Sequence, residues 1–251
     1  MRVAAIYDVH GNLPALEAVL AEVCLAGVDR IVVGGDVLPG PMPRECLVCL
    51  LDLGPSVQFI LGNGDREVLS QLMGKETEWY RAAAESWRAP VRWTAEQLGR
   101  EHKQLLTAWV ATYRLEIPGL GEVLFCHATP RNDTEIFTRL TPEDRLVAVF
   151  DQLDVPMVVC GHTHMQFDRT VGGVRVVNAG SVGMPFGEPG AYWLLLGPAI
   201  ELRHTPYHLA RAAERIRATS YPQAQAFADN SILRPPTEEA MLAAFARAEL
   251  K

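Results

Sequence analysis

Aspartate, histidine and asparagine recur in five short motifs of this chain, at spacings suited to holding metal ions. The motifs are Asp8-Val9-His10, Gly35-Asp36, Gly62-Asn63-Gly64-Asp65, Cys126-His127 and Gly161-His162-Thr163-His164. They contain four of the seven histidines. In extended chain, residues two apart point to the same side. Asp8 and His10 are therefore expected to reach one cation together, and His162 and His164 the same cluster. The glycines before Asp36, Asn63 and His162 allow sharp turns and close backbone approach. Carboxylate, amide and imidazole donors without thiolate favour Mn, Fe, Ni or Zn over a cysteine-type structural zinc. An aspartate shared by two cations would place negative charge where their repulsion is greatest. Each motif alone has a plainer interpretation, as a turn, a helix cap or a satisfied histidine. Their joint occurrence in this order, each behind an apolar run, is what singles them out.

Those apolar runs read as strands: Arg2 to Tyr7, Arg30 to Val33, Val57 to Leu61, Glu122 to Cys126 and Pro156 to Cys160. A helix fits between the first two, with Asn12 as N-cap, Pro14 in the first turn and Gly27 at the end. Cys46 to Leu51 lies in a second helix. Strand–helix–strand order implies parallel pairing and an α/β fold, and ligands bind at the carboxyl ends of such strands. Residues 66 to about 114 read instead as a helical insertion broken at Gly74, Pro90 and Gly99, and they hold four of the five tryptophans. Residues 166–178 and 191–204 alternate like antiparallel hairpins, the first turning at Gly172-Gly173. A helical tail runs from about 206 to 250. The whole of residues 1–251 reads as one domain.

The net charge of −7 offers no basic stripe for a nucleic-acid backbone, so no stable nucleic-acid complex is expected. A small phosphorylated substrate is compatible, since bound cations would supply positive charge. Five cysteines, an odd number, suit reduced thiols, and the opening apolar run stops at Asp8, too short for a signal segment. A cytoplasmic location without membrane contact is expected. Cys46-x-x-Cys49 lacks a second pair and reads as two small apolar residues on a helix.

The five motifs together resemble the calcineurin-like metallophosphoesterase superfamily, and the stretch Asn178-Ala179-Gly180-Ser181-Val182-Gly183 resembles a loop of its small prokaryotic members. The resemblance implies a four-layer αββα sandwich of two mixed sheets. It implies two divalent metal ions, Mn foremost. Asp8, His10, Asp36 and His164 would hold one. Asp36, Asn63, His127 and His162 would hold the other, with Asp36 as the bridge. The implied activity is phosphoester hydrolysis by a metal-activated hydroxide, on a small monoester or diester such as a nucleotide. Asn63, Asp65 and Arg131 are the candidate catalytic residues, with Asn63 and Arg131 placed to hold phosphoryl oxygens; Arg131 reads equally as a surface arginine. Many members carry a histidine after the motif asparagine, where this chain has Gly64, which leaves the general acid open.

Other features admit two interpretations. Trp79, Ala83 and Trp87 fit one helix face and would form either a stacking lid or, as the more ordinary outcome, a packing seam. Arg81 and Arg88 read as solvated, and His204 and His208 as surface residues. Two other activities share the fold: a protein serine/threonine phosphatase, disfavoured by Gly64 and the acidic charge, and a non-catalytic scaffold, whose signature would be lost ligands. Every proposed ligand is present here.

Overall fold

The computed structural model describes residues 1–250. The first sheet is built from β1 (Val3–Ile6), β2 (Arg30–Val33), β3 (Val57–Phe59), β9 (Ala191–Leu196) and β10 (Ile200–Thr205), in the order β10-β9-β1-β2-β3. β1, β2 and β3 run parallel, and the β9–β10 hairpin joins antiparallel to β1. The second sheet contains β4 (Thr112–Ile117), β5 (Gly121–Cys126), β6 (Met157–Cys160), β7 (Phe167–Val171) and β8 (Val174–Asn178), in the order β4-β5-β6-β8-β7. Its centre is parallel and its two edges antiparallel.

Alternation along each strand explains how the sheets pack. Val3, Ala5 and Tyr7 face Phe125, Val159 and Val177 of the other sheet, forming a core between the two. Ala4 and Ile6 point outward to α1 (Leu13–Ala26) and α2 (Pro43–Leu51). Leu124, Cys126 and Val158 point outward to α7 (Glu143–Phe150). Both sheets are thus covered on both faces, which is why the parallel strands read as continuous apolar runs. The result is the four-layer α/β sandwich. Tyr7 ties the inner layers by donating its hydroxyl proton to the Val159 carbonyl at 3.1 Å.

Local signals hold at several elements. The Asn12 side chain accepts from Ala15 N at 3.3 Å, and Gly27 ends α1 in the left-handed conformation. Gly172 and Gly173 turn the β7–β8 hairpin at φ 54° and 90°. The helical stretch differs in detail. It comprises α3 (Asn63–Leu72), α4 (Glu78–Ala82), α5 (Glu85–Gln97) and α6 (Arg100–Thr107), and β4 takes over at Thr112. Gly74 and Gly99 do separate helices, but Pro90 lies inside α5. Its missing N–H frees the Ser86 carbonyl, one turn back. The Gln223 side-chain amide, from the tail, donates to that carbonyl and satisfies it. Trp79 and Trp87 do not share a helix face, because Ala83 and Ala84 are extended and part α4 from α5.

The tail consists of α8 (Leu209–Arg217), α9 (Ala224–Phe227), a π-helical turn over Ala228–Leu233 and α10 (Glu238–Phe245). His208 caps α8 by accepting from Arg211 N at 3.3 Å, and His204 stacks on Tyr192 with ring centroids 4.4 Å apart. The two histidines do not form a metal pair. Among the described residues, no helix is long and apolar enough to cross a membrane.

Phe125 is fully buried between the sheets. Phe125→Ala should lower unfolding free energy by about 3–5 kcal/mol, read from urea denaturation.

Candidate metal centre

The five motifs end their strands on a common rim. Asp8 N donates to Gly35 O at 3.1 Å and His10 N to Asp36 O at 2.9 Å, which locks the first motif to the second. Gly161 N donates to His127 O at 2.9 Å, and His162 N donates to the Asp8 carboxylate at 2.8 Å, which joins the two sheets. The loop 178–183 straps them together. Asn178 donates to the Gly161 carbonyl at 2.6 Å, while Ser181 Oγ and Gly183 N both donate to the Asp8 carbonyl.

Asp8, His10, Asp36, His162 and His164 all have φ between 46° and 66°, the left-handed region. The extended-chain geometry expected from the i, i+2 spacing is therefore not what aims these side chains. Each donor sits on a sharp left-handed corner just past its strand. Such a corner costs a non-glycine residue about 1–3 kcal/mol and persists only where the surroundings over-determine it. The cross-motif hydrogen bonds do so here.

The donors meet closely. Asp8 Oδ1 lies 3.4 Å from His164 Nε2, 3.9 Å from His10 Nε2 and 4.0 Å from His127 Nε2. Asp36 Oδ2 lies 3.6 Å from His127 Nε2 and 3.8 Å from His10 Nε2. Asp36 thus reaches both histidines, while two tight donor groups, Asp8-His10-His164 and Asp8-Asp36-His127, share Asp8. His10 Nε2 and His164 Nε2 approach to 3.2 Å. The Asn63 amide, on the first residue of α3, reaches within 3.0 Å of His127 Nε2 and 2.9 Å of His162 Nδ1. All seven residues expected to bind metal therefore stand in one cluster.

The surrounding atoms prepare these donors. His127 Nδ1 lies 3.0 Å from Gly34 O, and His164 Nδ1 lies 2.7 Å from Met184 O. A proton on each Nδ1 leaves the Nε2 lone pair facing the cluster. Burial, with His164 nearby, lowers the His10 pKa to about 3, and burial with His127 nearby does the same to His162. Both are neutral at pH 7, the state that binds a cation. Burial opposes charge on His164, but Asp8 outweighs it and holds this imidazole above its ordinary value. Burial likewise pushes Asp8 up, yet the imidazoles of His164, His127 and His10 hold it below the usual carboxylate range. Burial raises Asp36 to about 6.

Asp8 Oδ1 is buried with no hydrogen-bond partner. An orphaned carboxylate oxygen facing three imidazole nitrogens is poorly satisfied by protein alone. A divalent cation fits it. The carboxylate, imidazole and amide donors match the borderline-to-hard class.

Asp65 has another task. Its two carboxylate oxygens accept from Asp36 N at 2.7 Å, Leu38 N at 2.9 Å and Gly62 N at 3.1 Å. Those bonds cap α3 and fix the backbone of the second motif. Asp65 is thus a positioning residue rather than a group that faces substrate. Arg131 is half-exposed and held by Glu135 at 2.8 Å, and with Arg66, Asp133 and His127 it lines a second cavity. It does not line the cavity on which His10, Asp36, Asn63, His162 and His164 open. The absence of a histidine at Gly64 has a steric counterpart: a Cβ there would lie 2.5 Å from Leu38 O and 2.8 Å from Pro39 Cδ.

The cluster opens on a cavity of about 470 Å³ that His10, Asp36, Asn63, His162 and His164 line together with Trp79, Trp87, Tyr221 and Phe245. The motifs gave no sign of Tyr221 or Phe245. The aromatic spacing of the insertion is the one sequence signal for this wall, and packing is its more ordinary reading. Both tryptophans face the cavity instead.

The profile of the calcineurin-like phosphoesterase superfamily domain matches residues 1–196. The chain belongs to this superfamily. An uncharacterised protein of Methanocaldococcus jannaschii is 30% identical over 181 residues, 72% of this chain and 69% of that one. The crystal structure of a metallophosphoesterase from Sphaerobacter thermophilus superposes with a TM-score of 0.71 at 28% identity, covering 91% of this chain and 97% of the other. A hypothetical protein from Pyrococcus horikoshii shares the fold with a TM-score of 0.78 at 22% identity, covering 90% and 97%. The superfamily hydrolyses phosphoesters and uses divalent metals, and this member carries the donor groups for them.

Two outcomes follow from the geometry. Asp65→Asn puts an NH2 against backbone amides, so it should cost about 1–3 kcal/mol in urea unfolding and lower metal content by mass spectrometry. Cation binding must displace the proton that Asp36 holds below pH 6. Calorimetry in buffers of different ionisation enthalpy should show more protons released at pH 5 than at pH 8. Apparent affinity should rise across that interval.

Proposed function

We propose that this protein is a two-metal phosphoesterase acting on a small phosphorylated molecule. Asp8, His10, Asp36 and His164 hold one cation, and Asp36, Asn63, His127 and His162 the other. Mn is the first choice, with Fe, Ni and Zn as alternatives. The carrying observation is the orphaned Asp8 Oδ1, ringed by three imidazoles beside a second buried carboxylate. When bound, a pair of cations supplies hydroxide near neutral pH and neutralises phosphoryl charge.

The chain's own residues set the rest. Neutral His10 and His162 leave their lone pairs for metal rather than protons. Asp65 accepts from the amides of Asp36, Leu38 and Gly62 and so fixes the Asp36 backbone, and Gly64 N donates to the Asp36 carboxylate at 2.7 Å. Asn63 presents its amide at the N-terminus of α3, where the helix dipole favours a phosphoryl oxygen. With glycine at position 64, protonation of the leaving group falls to solvent. The acidic net charge and a cavity of about 470 Å³ support a small substrate over a nucleic acid or a phosphoprotein surface. The whole chain acts as one domain. Five unpaired cysteines support a cytoplasmic setting.

A panel of aryl phosphomonoester, aryl phosphodiester, nucleotides and a phosphopeptide, each with Mn, Fe, Ni, Zn and Mg, tests this. Turnover of the small esters with Mn is expected. Asp36→Ala should lose metal and at least about a hundredfold in kcat together, since the cations carry several kcal/mol of the catalysis. Two ions retained in that variant, or no turnover of any ester by the parent protein, would end the proposal.

A further inference from the structure

The cavity over the metal centre is polar at one end and aromatic elsewhere. Trp79 on α4 and Trp87 on α5 line it and are 45% and 67% exposed. Two indoles open to water beside a catalytic centre are unusual, since each carries about 150–250 Å² of surface that burial would stabilise. The remaining rings are already set. Phe186 stacks on the ligand His164 at 5.3 Å and 22°, and meets Phe245 at 6.0 Å. Tyr221 is held edge-on by Trp93 at 5.3 Å and Phe227 at 6.2 Å. Asn230 and Ser231 of the π-helical turn add polar groups to the same wall. Such turns are frequent at functional sites. Tyr221, Phe227 and Phe245 lie outside residues 1–196, the region matched by the family, so this side of the wall comes from the tail, while Trp79, Trp87 and Phe186 lie within the matched region.

A fixed aromatic wall with two free indoles is a stacking platform for a flat ring. The cavity volume of about 470 Å³ falls within the range of small-molecule sites, roughly 300–1,000 Å³. We propose that the substrate is a small phosphoester carrying a planar aromatic ring, which stacks on Trp79 and Trp87 while its phosphate lies at the metal centre. This rests on the phosphoesterase proposal above for the position of the phosphate.

Phosphonates separate ring recognition from turnover, because their C–P bond is not hydrolysed. Calorimetry on the Mn-loaded full chain should show benzylphosphonate binding at least about tenfold tighter than methylphosphonate, the scale of one stacked ring. The Trp79→Ala/Trp87→Ala double variant should cut that ratio to about threefold or less, and Trp79→Phe/Trp87→Phe should restore most of it. Unchanged Mn content shows that the variants are folded. Comparing kcat/KM for adenosine 5′-monophosphate and ribose 5-phosphate, which share a leaving alkoxide, identifies the ring. A preference there makes it a nucleobase, and a preference confined to benzylphosphonate makes it a simple aryl group. Equal phosphonate affinities in the parent protein, or a ratio that survives loss of both tryptophans, would overturn the inference. Failure of turnover with the phosphonate ratio intact would remove the hydrolase proposal and leave ring binding standing.

Discussion

Two carboxylates, Asp8 and Asp36, are buried just past the ends of β1 and β2, where the strand ends of the two sheets converge, with a third, Asp65, directly behind the second. Taking such charge out of water costs several kcal/mol per group unless something answers it. Three answers are visible. Backbone amides occupy Asp65, imidazoles stand around Asp8, and burial raises Asp36 until a proton becomes competitive. None of these satisfies Asp8 Oδ1. The site is therefore poised for cations, and the surrounding structure serves to keep that charge concentrated.

Holding it requires backbone that the chain would not adopt alone. Five of the seven donors occupy left-handed corners. The strain is carried by bonds that link motifs far apart in sequence, such as His162 N to Asp8 and Ser181 to the Asp8 carbonyl. The glycines beside the donors serve the same end. At Gly62, any Cβ would collide with the Asp36 carboxylate. The packed core between the sheets supplies the rigidity that makes these corners affordable, and Tyr7 shows the coupling, spanning both sheets one residue before Asp8.

The cavity wall has a different origin from the donor cluster. The donor cluster lies within the family-matched region, whereas much of the cavity wall comes from the tail. The two are physically joined. Pro90 removes a hydrogen bond inside α5, and Gln223 of the tail fills the gap at Ser86. The tail thereby docks on the helix that carries Trp87, and the aromatic wall forms across that contact.

The donor residues, the strand–helix alternation, the Asn12 cap and the Gly172-Gly173 turn were legible in the sequence because each follows from residue type and near neighbours. The convergence of Asp8, Asp36, His127 and His164 was legible only as a joint pattern of strand ends. The left-handed corners were not, since nothing local makes a histidine prefer positive φ. Nor was the bracing role of Asp65, whose partners include amides 27 and 29 residues away. Pro90 reads as a break because the carbonyl it frees, Ser86 O, is satisfied by Gln223, 137 positions beyond Ser86. Trp79 and Trp87 share a helical period but not a helix. Sequence by itself determined which atoms could hold metal. Tertiary structure decided how they are aimed and what else faces them, because those outcomes depend on partners distant along the chain.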